Sequence, residues 1–119
     1  MPLPMKFRTR KMIMPSHLNG AGSLFGGQAL SWIDEESAIF AACQLNDSNL
    51  VTKFMSSINF KAPARQGDIV EIGTQLVSFG KTSITVSCAI KNKYTGLVFF
   101  FSFLKFYPSK FDKTFLNKI

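Results

Sequence analysis

Three consecutive carboxylates, Asp34-Glu35-Glu36, interrupt a stretch from Leu30 to Leu45 that is otherwise mostly apolar or small. On a helix, successive residues are about 100° apart, so the three acids point in three directions. Asp34 shares an arc with Leu30, Ala38, Ala41 and Leu45, Glu35 points toward Ile39 and Ala42, and Glu36 toward Phe40 and Cys43. An unpaired carboxylate in dry core costs several kcal/mol, so at least one of them must face a cavity, a partner or water. One reading is that the acids favour the first half of a helix through its dipole and are solvated. The other is a general base, a carboxylate in a pocket that takes a proton from water. Gly26-Gly27, just upstream, lets a ligand approach the backbone. The free N–H groups of a first helical turn are ready donors to a developing oxyanion. Base and donors about two turns apart on one helix suit acyl transfer to water.

Other chemistry fails on spacing. Gly80-Lys81-Thr82 resembles the end of a phosphate loop, but that loop needs glycine at Gln75 and a helix afterwards, where the sequence alternates as strand. A dinucleotide fingerprint from Gly20 and Gly22 needs glycine at Phe25 and a preceding strand. No nucleophile elbow surrounds Ser23. His17 is the only histidine, and no metal-ligand spacing accompanies it, so it reads as a loop residue and no metal or cofactor is expected. Cys43 and Cys88 form neither a CxxC pair nor a disulfide framework.

The elements that must position these residues are few. Residues 6–14 read as an extended entry segment or first strand stopped by Pro15, and Ser16 to Ser23, with Asn19-Gly20-Ala21-Gly22, as a loop. From Gly26 to Leu45 runs the one long helix, apolar on nearly every side and therefore expected to be buried. Strands follow at Leu50–Phe60, Ile69–Ser78, Ser83–Lys91 and Leu97–Tyr107, the third alternating through Ile84, Val86, Cys88 and Ile90. One helix and four or five strands predict an α+β domain, a sheet wrapped about a central helix.

At 119 residues the chain fits a single domain, residues 1–119, able to bury roughly two thirds of its unfolded surface. Its 13 Phe are many to hide at that size, which favours an oligomer. The net charge of +7 resides at the ends: Lys6, Arg8, Arg10 and Lys11 at one, and Lys105, Lys110, Lys113 and Lys118 against Asp112 at the other. The middle is neutral, which argues against a nucleic-acid groove. The N-terminus has no long apolar stretch of secretory type, and no apolar run approaches the roughly 20 residues of a membrane helix, so a cytoplasmic protein without membrane contact is expected.

Asn19-Gly20-Ala21-Gly22-Ser23-Leu24-Phe25-Gly26-Gly27, followed by Leu30-Ser31-Trp32-Ile33-Asp34-Glu35, resembles the signature of hotdog-fold acyl-CoA thioesterases of the cytosolic bacterial type. The likeness continues through Asn59-Phe60-Lys61-Ala62-Pro63, Gly67-Asp68-Ile69-Val70-Glu71 and Gly80-Lys81-Thr82-Ser83, across about residues 12–91. It implies a hotdog fold, a curved antiparallel sheet around one long helix. It also implies a homodimer joined sheet edge to sheet edge, with composite sites, often assembled into hexamers as trimers of dimers. The substrate would be acyl-CoA, hydrolysed to acid and free CoA without a cofactor.

By the same resemblance Asp34 activates the water, Asn19 positions the thioester or water from the opposite side, and Gly27 supplies the oxyanion N–H beside Gly26. Lys81, Thr82 and Ser83 are the implied contacts to pantetheine or phosphate. Lys81 stands where the family has arginine, keeping the charge without the bidentate fork. Ser57 lines the site. Ser56 replaces an acidic residue frequent in relatives, and beyond Tyr94 the pattern dissolves into a Phe-rich run and an atypical tail, about 107–119. The Phe run reads as edge-strand core and oligomer contact, with an acyl-chain wall as the alternative. Pocket depth, and with it chain-length preference, depends on Phe25, Leu30 and Phe54. The competing reading is a non-catalytic acyl-CoA-binding module. A hotdog dehydratase would need a catalytic histidine near the helix, and His17 sits too far upstream.

Overall fold

The computed structural model describes residues 5–46, 49–56 and 62–108. Alternation shapes the sheet. In β4 (Ile84–Asn92), Ile84, Val86, Cys88 and Ile90 are buried on one face, as their period of two requires. Around it lie β1 (Lys6–Met12), β2 (Leu50–Met55), β3 (Ile69–Phe79) and β5 (Val98–Pro108), all pairings antiparallel, in the order β1-β3-β4-β5-β2. Facing partners form rows across the sheet. Ile72, Ile90 and Phe100 make one; Thr74, Cys88 and Ser102 the next; Ile84, Phe106 and Thr52 lie in a row toward the other end.

The helix α1 (Gly26–Leu45) lies against these rows. Its limits coincide with those expected: it starts after Phe25, which has extended backbone and no side-chain cap, and stops at Asn46 in the left-handed conformation (φ 51°), whose N–H donates to Ala42 O. Ala29, Ile33, Ser37, Ala41 and Leu45, each four apart, form the buried stripe, joined by Trp32. They pack on Ile72, Ile90, Phe100, Leu104 and Phe106. Each such apolar side chain contributes about 1.5–3 kcal/mol when fully buried.

The expectation of a helix buried on every face is corrected. Leu30, Ile39 and Cys43 are exposed, Ile39 by 53%. One sheet covers one side of a helix, and apolar residues on the other side are beyond its reach. The Phe-rich strand also departs from expectation: β5 lies between β4 and β2, so it is internal rather than an edge. Its Phe99, Phe100 and Phe106 are core, while Phe103 is exposed. β1 and β2 are the edges. The expected strand through Phe60 is described as far as Met55, and Ser57, the Asn59-Phe60-Lys61 motif and the tail after Pro108 lie outside the described residues. Among the described residues, no helix is long and apolar enough to cross a membrane.

Candidate active site

The loop before the helix is built around Asn19. Its Oδ1 accepts from Ala21 N at 2.9 Å and Ser23 N at 3.2 Å, and its own N–H donates to Ser23 O at 2.8 Å. Gly22 turns the chain with φ +79°, a conformation that favours glycine. The loop is fastened on both sides: Leu24 N donates to Ala64 O, and Phe25 N to His17 O. His17 was expected in an irregular loop; it closes a short 3-10 helix, Pro15–His17. Its Nδ1 accepts from Met14 N at 3.0 Å, and its ring stands edge-on to Trp32 with centroids 5.0 Å apart. Asn19, Ser23, Leu24 and Gly26 then face Ala62, Pro63, Ala64 and Phe100 across an open cavity of ≈ 460 Å³.

At the helix start, Gln28 N and Ala29 N both donate to Phe25 O, so the N–H groups of Gly26 and Gly27 precede the ladder. Gly27 sits under the Phe25 ring: a Cβ there would lie 2.6 Å from Phe25 Cε1. The three acids separate as helical geometry demands. Glu35 is exposed. Glu36 Oε2 accepts from Thr9 Oγ1 at 2.9 Å on the β1 side. Asp34, half-buried, turns the other way, and its Oδ1 accepts from Thr52 Oγ1 on β2 at 2.9 Å.

Among the expected contacts to the CoA portion, Ser83 is buried, with Gly80 N donating to its carbonyl, whereas Lys81 and Thr82 are exposed at the β3–β4 turn. Register places that turn at the end of the sheet where Thr52 holds Asp34, since Ile84, Phe106 and Thr52 share a row. Asn19 and Gly26 border the cavity near Phe100, six residues earlier on β5, or roughly 20 Å along the strand. Within one chain the structure therefore sets Asn19 and Gly26 on the border of one cavity, and Asp34 against Thr52 toward the end of the sheet where the β3–β4 turn lies. Thr52 escaped the sequence reading. Its signal was a polar residue in a run of apolar strand residues, visible as a partner for Asp34 only once β2 is known to flank the helix. Ser56, the residue expected to stand in place of an acid, bonds to β5: its Oγ accepts from Phe103 N at 2.8 Å and lies 3.2 Å from Ser102 Oγ. Phe25, Leu30 and Phe54 are 55%, 40% and 55% exposed, so in one chain they wall no closed pocket.

Two further groups are perturbed. The Arg10 guanidinium, 2.9 Å away, holds the Glu71 carboxyl below its usual range, against a partial burial that raises it, with Lys93 and Lys91 adding charge. Burial pushes the Cys88 thiol up to about 12; Ser37, whose buried hydroxyl makes no hydrogen bond of good geometry, offsets this only in part, and the charge of Glu36 adds to it. Among the described residues no three His, Cys, Asp or Glu gather as a metal site.

A long helix on the concave face of a curled antiparallel sheet, with a glycine-flanked N-terminus and a carboxylate two turns on, is the hotdog arrangement. Residues 21–99 match the thioesterase superfamily, and the chain belongs to that family. It is 33% identical over 81 residues to an uncharacterized acyl-CoA thioester hydrolase of Haemophilus influenzae, covering 68% of this chain and 52% of that protein. A hexameric hotdog fold thioesterase of Campylobacter jejuni superimposes with a TM-score of 0.79 at 26% identity, over 92% of each chain. An acyl-CoA hydrolase from Staphylococcus aureus, solved with butyryl coenzyme A, coenzyme A and coenzyme A disulfide, superimposes with a TM-score of 0.80 at 25% identity, over 86% of this chain and 62% of that one. The chain spans about half to six-tenths of the length of the curated relatives it matches.

Proposed function

We propose that this chain is an acyl-CoA thioesterase that works as a homodimer or a higher assembly of dimers, with each site shared between two copies. The observation that carries it is the placement of Asp34, a half-buried helix carboxylate tied to Thr52 on an edge strand. Of the two edges, β1 carries Lys6, Arg8, Arg10 and Lys11, and a second copy laid beside it would set cation against cation. β2 is mostly apolar, with Val51 and Phe54 exposed, and is the edge suited to pairing. A two-fold axis at β2 reverses the partner's strand direction, bringing the partner's Asn19–Gly27 end beside Asp34.

The chemistry follows from those positions. The thioester carbonyl oxygen points at the Gly27 N–H, and Asn19 bounds the cavity that receives the thioester. Asp34 takes a proton from water as its oxygen attacks the carbonyl carbon. The tetrahedral oxyanion collapses, the C–S bond breaks, and the departing CoA thiolate recovers the proton from Asp34, leaving the free acid. Thr52 fixes the Asp34 rotamer throughout. Lys81, Thr82 and Ser83 meet pantetheine or phosphate at the turn on Asp34's side, and Ser57 follows Ser56 just past the end of β2. A reduced cytoplasm is the compartment in which such a reaction fits two free thiols.

Relatives named as acyl-CoA thioester hydrolases and a neighbour holding butyryl coenzyme A support this reading. The test is thiol release from acetyl-, octanoyl- and palmitoyl-CoA by wild type and Asp34→Ala. The expected loss in turnover is on the order of 10²-fold or more, with affinity little changed. Binding of acyl-CoA by calorimetry without release from any of the three would make the chain an acyl-CoA-binding module instead.

A further inference from the structure

The helix has a second open side. Glu36, Phe40 and Gln44 form a ridge at four-residue spacing, roughly 12 Å long, that borders a groove toward β1 and β3. Two adjoining cavities of ≈ 240 and ≈ 60 Å³ share Arg8, Phe40, Gln44 and Thr74, so they are one groove. Its walls are apolar at Ile39, Phe40, Ile72 and Leu76. Lys6 and Arg8 supply its cations, and among the described residues neither is in an ion pair. Glu36, the only carboxylate in the lining, is already engaged by Thr9. None of Asn19, Gly27 or Asp34 lines it.

Arg8 shares this face with Lys6, two residues before it on β1. The β1–β3 register slips between Phe7 and Thr9, so Arg8 is the extra residue of a bulge. The bulge acts on the strand after Arg8: Thr9, beside it, also turns to the helix side and donates to Glu36. The groove's volume lies at the lower end of the roughly 300–1,000 Å³ typical of small-molecule sites, which suits one alkyl chain better than a nucleotide.

We propose that this groove binds a medium-chain fatty carboxylate, its head group between Lys6 and Arg8 and its chain along Phe40, Ile39 and Leu76. The inference rests on the groove's own side chains and stands whether or not the chain hydrolyses thioesters. Such a ligand belongs to the product class of that reaction, so with hydrolysis the groove would sense product.

Cys43 provides the readout. It is exposed and lines the groove, whereas Cys88 is buried with its thiol pushed up to about 12 and stays silent to a neutral maleimide. The full native chain is labelled with N-ethylmaleimide, with and without decanoate, and Cys43 modification is followed by mass spectrometry. Decanoate at about five times its dissociation constant should slow labelling about sixfold. Acetate should not protect, and decanol should protect less. Arg8→Glu, on the exposed side of an edge strand, should abolish protection by decanoate while keeping the unliganded labelling rate and any acyl-CoA hydrolysis. Arg8→Gln should weaken protection in the same direction, and protection should persist in Asp34→Ala, which separates this groove from the hydrolytic site. Equal rates with and without decanoate overturn the proposal, as does protection unchanged in both Arg8 variants. Cys43 that reacts only after unfolding also overturns it, since a second copy would then cover the groove.

Discussion

The Thr52 hydroxyl donates to Asp34 Oδ1 at 2.9 Å, joining the edge strand β2 to the middle of the central helix. Thr52 shares a row with Phe106 and Ile84, so the sheet itself sets its height along the helix. The bond therefore converts sheet register into the orientation of one carboxylate. Thr52→Val keeps the β-branched shape and removes only the hydroxyl. It should lower kcat on the order of 10- to 100-fold with little change in KM, because a misaimed base costs rate rather than binding. Thr52→Ser should restore most of the loss. Thr52 is exposed, so Tm should stay near wild type in both variants. A Thr52→Val chain with unchanged kcat would show that Asp34 needs no such support.

The proposed oxyanion donor is checked by a pair of variants. A Cβ on Gly27 would lie 2.6 Å from the Phe25 ring, which is 55% exposed and free to swing away from it. Gly27→Ala keeps the N–H but displaces that ring across the helix start, and should lower kcat/KM about tenfold. Phe25→Ala combined with Gly27→Ala should recover most of it, a coupling that a double-mutant cycle reads directly. Absence of recovery would place the effect in the backbone of Gly27 itself.

How much of this was legible in the sequence depended on whether the signal was local. The helix limits were legible because Gly26-Gly27 and Asn46 punctuate a run with no other breaker, and β4 because Ile84, Val86, Cys88 and Ile90 alternate without a slip. The exposed side of the helix was not. Leu30 and Ile39 are as apolar as the buried Ile33, and hydrophobicity alone does not say whether a residue meets its own sheet or a second copy. β5 was mistaken for an edge because strand order is a long-range property: β2, nearly fifty residues earlier in sequence, pairs outside it. The site divided in the same way. Asp34 stood out as an acid in an apolar helix, whereas Thr52 gained meaning only from that pairing.

Away from the site, Glu71 ties β1 to the sheet through Arg10 and, at 4.0 Å, Lys91. Its carboxyl is held below the usual range chiefly by the Arg10 hydrogen bond, so the charged form is favoured in the folded chain. A depressed carboxylate contributes stability above its unfolded pKa of about 4.3 and loses it as pH falls through the lower folded value. Glu71→Gln should therefore lower the urea midpoint near neutral pH, and the gap from wild type should close as pH drops below about 4. A gap that is constant across that window would mean the ion pair is not its source.

The sharing of each site between two chains is the proposal with the most at stake, and Phe54 tests it. Phe54 pairs with Lys105 on β5, is 55% exposed, and lies on the strand whose outer edge is open. In a two-fold pairing at β2, one substitution acts twice, because each copy presents the same patch to the other. Phe54→Lys should place two cations near the axis and shift the protein to monomer in sedimentation velocity, while circular dichroism stays native because Phe54 contributes little to the core of its own chain. Thiol release should fall with dimer content and recover at high protein concentration. Met12→Lys, on the exposed face of the opposite edge β1, should change neither quantity. A monomeric Phe54→Lys chain with full turnover would require Asn19, Gly27 and Asp34 of one chain to act together. That outcome would overturn the shared site.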